Sequence, residues 1–161
     1  MNDTTIIQKI KGRFSDQVLE DHNFRGDQTV TLNKESIVEA ARFVRDEPSL
    51  AMDFLMDLTA VDYMDRKPQR FEVVYHFYSS TLNHRVRIKI PVAEEESVVD
   101  SLVPLYKSAN WFEREVWDLY GIKFKGHPNL KRILLYEGFK GHPLRKDYPV
   151  NKRQPLIGPL N

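Results

Sequence analysis

Apolar residues recur along the first 120 positions with two periods, and each change of period marks a new element. Ile6, Ile10 and Phe14 stand at helical spacing with Ile7 beside them, which predicts a helix over Thr4 to Phe14. The stretches QVLEDHNF and QTVTLN flank RGD and predict a strand pair turning at Gly26. Ile37, Ala40, Ala41 and Val44 form an i, i+3, i+4, i+7 stripe, with Asn33 placed as N-cap and Pro48 as the stop. SLAMDFLMDLTAVDYM reads as a brief helix running into a strand around Leu58 to Met64. RFEVVYHFYS then alternates cleanly. Phe71, Val73, Tyr75 and Phe77 face one way, and Glu72, Val74, His76 and Tyr78 the other. HRVRIKIPV is its antiparallel partner through the loop STLN, with Val86, Ile88 and Ile90 inward.

Glu94 to Glu96 suit the positive end of a helix dipole. A helix is therefore expected through Val98, Val99, Leu102 and Leu105, kinked or broken at Pro104. A further helix runs from about Asn110 to Tyr120 and ends at Gly121, a good C-cap residue. These elements predict an α+β fold, with an antiparallel or mixed sheet packed with helices over residues 1–120. After Gly121 the texture changes. Four of the nine prolines lie between Pro143 and Pro159, and residues 121–161 read as an extended Pro- and Lys/Arg-rich arm that docks on another surface.

Charge sharpens that division. Residues 121–161 hold nine Lys/Arg against two Asp/Glu, behind a mildly acidic body, in a chain of net charge +1. A basic arm of this kind points to an acidic partner or to phosphates. The chain has 161 residues and no cysteine, so disulfides, Cys-ligated zinc or iron–sulfur clusters and a thiol nucleophile are all excluded. Its apolar runs fall far short of the roughly 20 residues that span a membrane. The start, MNDTTIIQKIKGRF, resembles neither a signal peptide nor a transit peptide.

The pentapeptide FKGHP occurs twice, at Phe124 to Pro128 and Phe139 to Pro143, and sets His127 and His142 in matching turns. Gly frees the backbone and Pro pushes the preceding His out of the α region. As zinc ligands the two His lack companions, since neither Cys nor an HExxH motif supplies them. As general bases they lack a marked substrate pocket. The reading adopted is structural, each His fixing a turn at an interface. Pro128 is expected to open a short helix carrying Leu130, Ile133 and Leu134, ended by Gly138. In WFEREVWDLYGI, charged and aromatic groups surround the expected helix, which points to enclosure by more than its own domain. Glu113 and Glu115 diverge by about 200° on a helix and do not form an acid–base dyad. HPLRKDYP places Arg145, Lys146 and Asp147 between prolines; Arg suits bidentate carboxylate or phosphate binding. No RNA- or DNA-binding signature, phosphate-cradling loop, dinucleotide fingerprint or GxSxG elbow occurs.

The combined stretch EREVWDLYGIKFKGHPNLKRILLYEGFKGHPLRKDYP, Glu113 to Pro149, resembles the signature of the C-type, 30-kDa subunit of bacterial NADH-quinone oxidoreductase, respiratory complex I. The family pattern reads roughly E-R-E-x-x-D-[LM]-[FY]-G-I, then G-H-P-x-L-x-R-I-L, then G-H-P-L-R-K-D-[FY]-P. Every fixed position is met here, while Asn129 stands where an acid is common. The resemblance implies a hydrophilic, cofactor-free subunit of the peripheral arm. It implies packing against the D-type subunit, which helps form the quinone site together with the B-type subunit. It implies that FMN, the iron–sulfur clusters and the quinone are held by other subunits. It implies a C-terminal segment laid over the D-type subunit, and attachment to the cytoplasmic side of the bacterial inner membrane only through the complex. The residues expected at the partner interface are Glu113, Arg114, Glu115, Asp118, His127, Arg132, His142, Arg145, Lys146 and Asp147, bonded to the arm or to the D-type subunit. Rival readings are the homologous subunit of a membrane-bound hydrogenase or another quinone-reducing complex, and a stand-alone enzyme or nucleic-acid-binding module using His127, His142 and the basic arm.

Overall fold

The computed structural model describes residues 5–155. Helix α1 (Ile6–Arg13) leads into strands β1 (Val18–Phe24) and β2 (Asp27–Leu32), then helix α2 (Ile37–Asp46). Strands β3 (Phe54–Asp62), β4 (Phe71–Ser79) and β5 (His84–Val92) follow, then β6 (Val98–Asp100), helix α3 (Ala109–Tyr120) and β7 (Lys123–Lys125). Five strands form one mixed sheet in the order β1-β2-β5-β4-β3, parallel only between β2 and β5. This is the α+β class that the alternating periods predict.

Local chemistry accounts for most boundaries. The capping box at Thr5 opens α1: its hydroxyl accepts from Gln8 N–H and the Gln8 carboxamide accepts from Thr5 N–H. Arg25 and Gly26 both take positive φ, 55° and 87°, the pair of left-handed residues that matches a tight hairpin turn to strand twist. Asn33 does not cap α2 with its side chain. A 3-10 turn, Lys34–Ser36, intervenes, and the Asn33 carbonyl accepts both N–H and O–H of Ser36.

The inner face of the sheet and all three helices share one core. Phe71, Tyr75, Phe77, Ile88 and Ile90 are fully buried against Ile10 of α1 and Ile37, Ala40, Ala41 and Val44 of α2. Each such large apolar side chain contributes about 1.5–3 kcal/mol.

Two helices predicted within residues 1–120 are absent. The brief helix before β3 is a set of turns through Leu50, and the strand begins earlier, at Phe54. The helix expected after Glu94 to Glu96 is strand β6, paired in parallel with β7 through Val98↔Lys123 to Asp100↔Lys125. Tertiary pairing with a segment beyond α3 outweighs the local helix signals, because Val98 and Val99 fit a strand as well as a helix.

Helix α3 carries an acid in its core stripe. Ala109, Glu113 and Val116 are buried at i, i+4, i+7. Glu113 is expected at an interface; instead it is fully enclosed, accepting from Ser101 Oγ at 2.6 Å and Leu102 N–H at 2.7 Å. Apolar packing on that side of α3 draws it inward. Burial pushes its carboxyl up to about 7, against the opposing pull of those two donors. The folded state thus holds this proton more tightly than the unfolded chain, whose value is near 4.5. Stability from this group therefore falls as pH rises from about 4.5 to about 7, then levels. Asp62, Glu72 and Asp118 are held below the ordinary carboxylate range, so their stabilisation fades only at lower pH. Glu113→Gln is expected to flatten the decline and to be the more stable chain above pH 7, by at most about 3 kcal/mol. Urea midpoints measured from pH 5 to pH 8 check this.

Candidate docking interface

The end of α3 organises everything after it. A helix leaves its last four carbonyls without intrahelical partners. Gly121, at φ 79°, turns its N–H back to Trp117 O, and the arm supplies donors for the other three. His142 Nδ1 donates to Asp118 O at 2.9 Å, Leu144 N–H to Leu119 O at 3.1 Å, and Arg145 Nε to Tyr120 O at 2.6 Å. A carbonyl can only accept, so His142 carries its proton on Nδ1. Burial, aided by the charges of Arg145 and Arg132, lowers its pKa and keeps the ring neutral. No side chain fits at Gly121: an added Cβ would lie 2.7 Å from the His142 ring and 2.9 Å from Arg145.

The first FKGHP turn reaches the other end of the same helix. His127 Nε2 donates to Asn110 O at 3.0 Å, while its Nδ1 accepts from Asn129 N–H. The repeated pentapeptide therefore places two histidines, in opposite tautomers, at the two ends of α3.

Asp118 is the centre of the arrangement. Its carboxylate has no exposed surface. One oxygen accepts from Arg132 at 2.5 Å; the other accepts from Ile133, Leu134 and Leu135 N–H at 2.9–3.0 Å. Three consecutive amides turned toward one oxygen cannot also point back to carbonyls four residues earlier. This is why the helix expected from Pro128 does not form. Arg132 also donates to the carbonyls of Phe139 and Gly141, binding the second pentapeptide to α3.

A second latch is centred on Arg70, a residue outside every sequence motif. Arg70, 9% exposed, grips Asp62 through two hydrogen bonds of 3.1 and 2.9 Å and also pairs with Glu94 and Asp147. Lys146 N–H donates to Asp62 Oδ2. Arg145 adds a 3.5 Å approach to Glu94 and lies over the Phe71 ring at 5.0 Å. A signal for it does exist in the sequence: Asp62 continues the inward series Leu58, Ala60 along β3, and an acid in an apolar slot calls for a buried cation.

The remaining expected interface residues divide. Arg114 donates to Lys131 O and Arg132 O and stacks over Trp111 at 5.6 Å. Glu115 and the Lys146 side chain are exposed. Large apolar groups also face outward here: Trp111 is 63% exposed, Leu134 61%, Leu144 48%, and Val150 fully. Lys131, Lys140, Lys152 and Arg153 of the arm are exposed as well. Among the described residues, no group of three or more His, Cys, Asp or Glu is placed to hold a metal ion.

Asp118→Asn removes the charge that Arg132 and three amides converge on. We expect a loss of about 3 kcal/mol in unfolding free energy and faster amide exchange at Ile133 to Leu135, read by urea denaturation and hydrogen–deuterium exchange. Gly121→Ala is expected to free the arm while sparing the sheet; exchange would then rise after residue 121 and stay unchanged in β3 to β5.

The family model for the respiratory-chain NADH dehydrogenase 30 Kd subunit matches residues 30–154. The C-type subunit of NADH-quinone oxidoreductase from Citrifermentans bemidjiense is 46% identical over 157 residues, 96% of each chain. That of a Roseiflexus species is 44% identical over 154 residues, covering 96% of this chain and 88% of the relative. Among solved structures, the trypsin-resistant fragment 1–134 of Nqo5 superposes with a TM-score of 0.68 at 29% identity, over 78% of this chain and 96% of that one. A membrane-bound sulfane sulfur reductase, an archaeal respiratory membrane complex, contains a chain of the same fold at TM-score 0.74 and 20% identity, over 91% of this chain and 85% of its own. With most of its length matched by the family model and nearly all of it by these relatives, the chain belongs to the family of the 30 Kd subunit of the respiratory-chain NADH dehydrogenase.

Proposed function

We propose that this chain is a cofactor-free, non-catalytic subunit of a proton-translocating NADH:quinone oxidoreductase. It positions and stabilises the D-type subunit, which forms the quinone site together with the B-type subunit. FMN, the iron–sulfur clusters and the quinone sit on other subunits; for the clusters, the absence of cysteine supports this reading. Attachment to the cytoplasmic side of the bacterial inner membrane is then through the complex. Among the described residues no helix is long and apolar enough to cross a membrane.

One observation carries this reading. Four charged signature residues are spent on fastening the arm: Asp118 with Arg132, Arg145 on Tyr120 O, Asp147 on Arg70. Fastened in this way, the arm exposes Leu134, Leu144 and Val150 as well as several lysines, apolar and basic surface suited to a partner protein. For the rival membership of another membrane-bound complex there is a fold likeness at 20% identity to a sulfane sulfur reductase, whereas the 46% and 44% relatives are NADH-quinone oxidoreductase subunits.

The test is recovery of the tagged chain from its native membranes in moderate salt. A quinone-site, D-type subunit with iron–sulfur subunits is expected; the chain alone, or with RNA, would overturn the reading. Arg145→Ala should cut recovery of the partner several-fold while leaving the far-UV circular dichroism of the purified chain nearly unchanged. Normal assembly with loss of turnover alone would count against a docking role.

A further inference from the structure

Between α3 and the arm, the latches leave open a groove of about 540 Å³. Trp117, Leu130 and Leu135 give it an apolar lining; Arg114, Lys131, Arg132 and Glu137 supply its charges. That volume lies within the range of about 300–1,000 Å³ typical of ligand pockets, enough for one or two large side chains.

The charges in the groove are not balanced within the chain. Arg132 is neutralised by Asp118. Arg114 is not: its guanidinium is held by two neutral carbonyls, those of Lys131 and Arg132, and among the described residues it pairs with no carboxylate. Lys131 is exposed and, among the described residues, also forms no ion pair. Glu137 is the one carboxylate in the lining. Beside the groove, Trp111 lies under Arg114 with 63% of its surface exposed. Trp and Arg are the residue types most enriched where binding energy concentrates.

We propose that this groove receives an acidic segment of a neighbouring subunit. The segment inserts a large apolar side chain against Trp117, Leu130 and Leu135 and sets one or two carboxylates on Arg114 and Lys131. The proposal rests on the docking role argued above and names the chemistry of what docks. A basic segment would meet like charge. An uncharged apolar segment would strip water from Arg114 and return only carbonyl dipoles, a poor exchange for a buried cation. A carboxylate supplies the missing negative charge and can accept from Arg114 Nη1, which the two carbonyls leave without a partner among the described residues. A polar segment without an apolar anchor would leave the lining of the groove unfilled.

The experiment uses the assembled complex purified from its native membranes, with the photo-cross-linker p-benzoylphenylalanine at Glu137 in one preparation and at Val150 in another. The Glu137 position is expected to capture a partner peptide with Asp or Glu within a few residues of a Leu, Ile, Met, Phe or Trp. In that preparation Lys131→Glu should lower the yield about tenfold at low salt, and Lys131→Arg should keep it. Among the described residues the Lys131 side chain makes no hydrogen bond or ion pair, so its substitution leaves the latches in place. A basic or uncharged peptide, or a lipid, captured at Glu137 overturns the proposal. So does silence at Glu137 while Val150 still captures a partner, which leaves the docking role standing. Silence at both positions overturns the docking role as well.

Discussion

Burying an ionised carboxylate costs several kcal/mol unless its lone pairs are answered by donors. Asp118 sits at the end of α3 with no contact to water, and each of its donors, Arg132 and the amides of Ile133 to Leu135, comes from the arm. The requirement runs both ways. The arm has too little apolar content to fold by itself, and the helix end has acceptors it cannot satisfy by itself. Each supplies what the other lacks, and the path of residues 123–148 follows from that exchange.

The second latch solves the same problem at the end of β3. Asp62 is buried, Arg70 neutralises it, and Lys146 and Asp147 of the arm close over the pair. Removing one member of such a cluster strands the others without partners in a low-dielectric site. The charge asymmetry of the sequence takes on a different meaning in this light. A basic arm behind an acidic body points outward, to an external acidic partner. Part of its complement lies within the chain: Arg132 meets Asp118, and Arg145 approaches Glu94. What remains unpaired on the outer side is the charge available to a neighbour.

The parts of the fold legible in the sequence are those set by local chemistry. Arg25-Gly26, the alternation of β4 and β5, the stripe of α2 and the stop at Gly121 each encode their own geometry. The parts that are not legible depend on distant segments. Strand β6 resembles a helix until β7 pairs with it. Leu130, Ile133 and Leu134 have helical spacing, but their backbone is claimed by Asp118. Glu113 reads as an interface charge because its carboxyl is polar; its position in the stripe with Ala109 and Val116 is the stronger signal. Arg70 lies in no motif, and only the inward slot of Asp62 points to it.

The Lys146–Asp62 hydrogen bond spans 84 residues of sequence and joins the last part of the chain to its middle. On the ribosome the sheet and α3 emerge first, so α3 exists for a time with its carbonyls uncapped and Asp118 and Asp62 short of donors. Local structure forms early in synthesis, but these contacts wait for the arm. The arm thus completes both sites. A chain cut before Arg132 leaves Asp118 without Arg132 and its three amides, Asp62 without the Lys146 amide, and the last carbonyls of α3 without their donors from the arm.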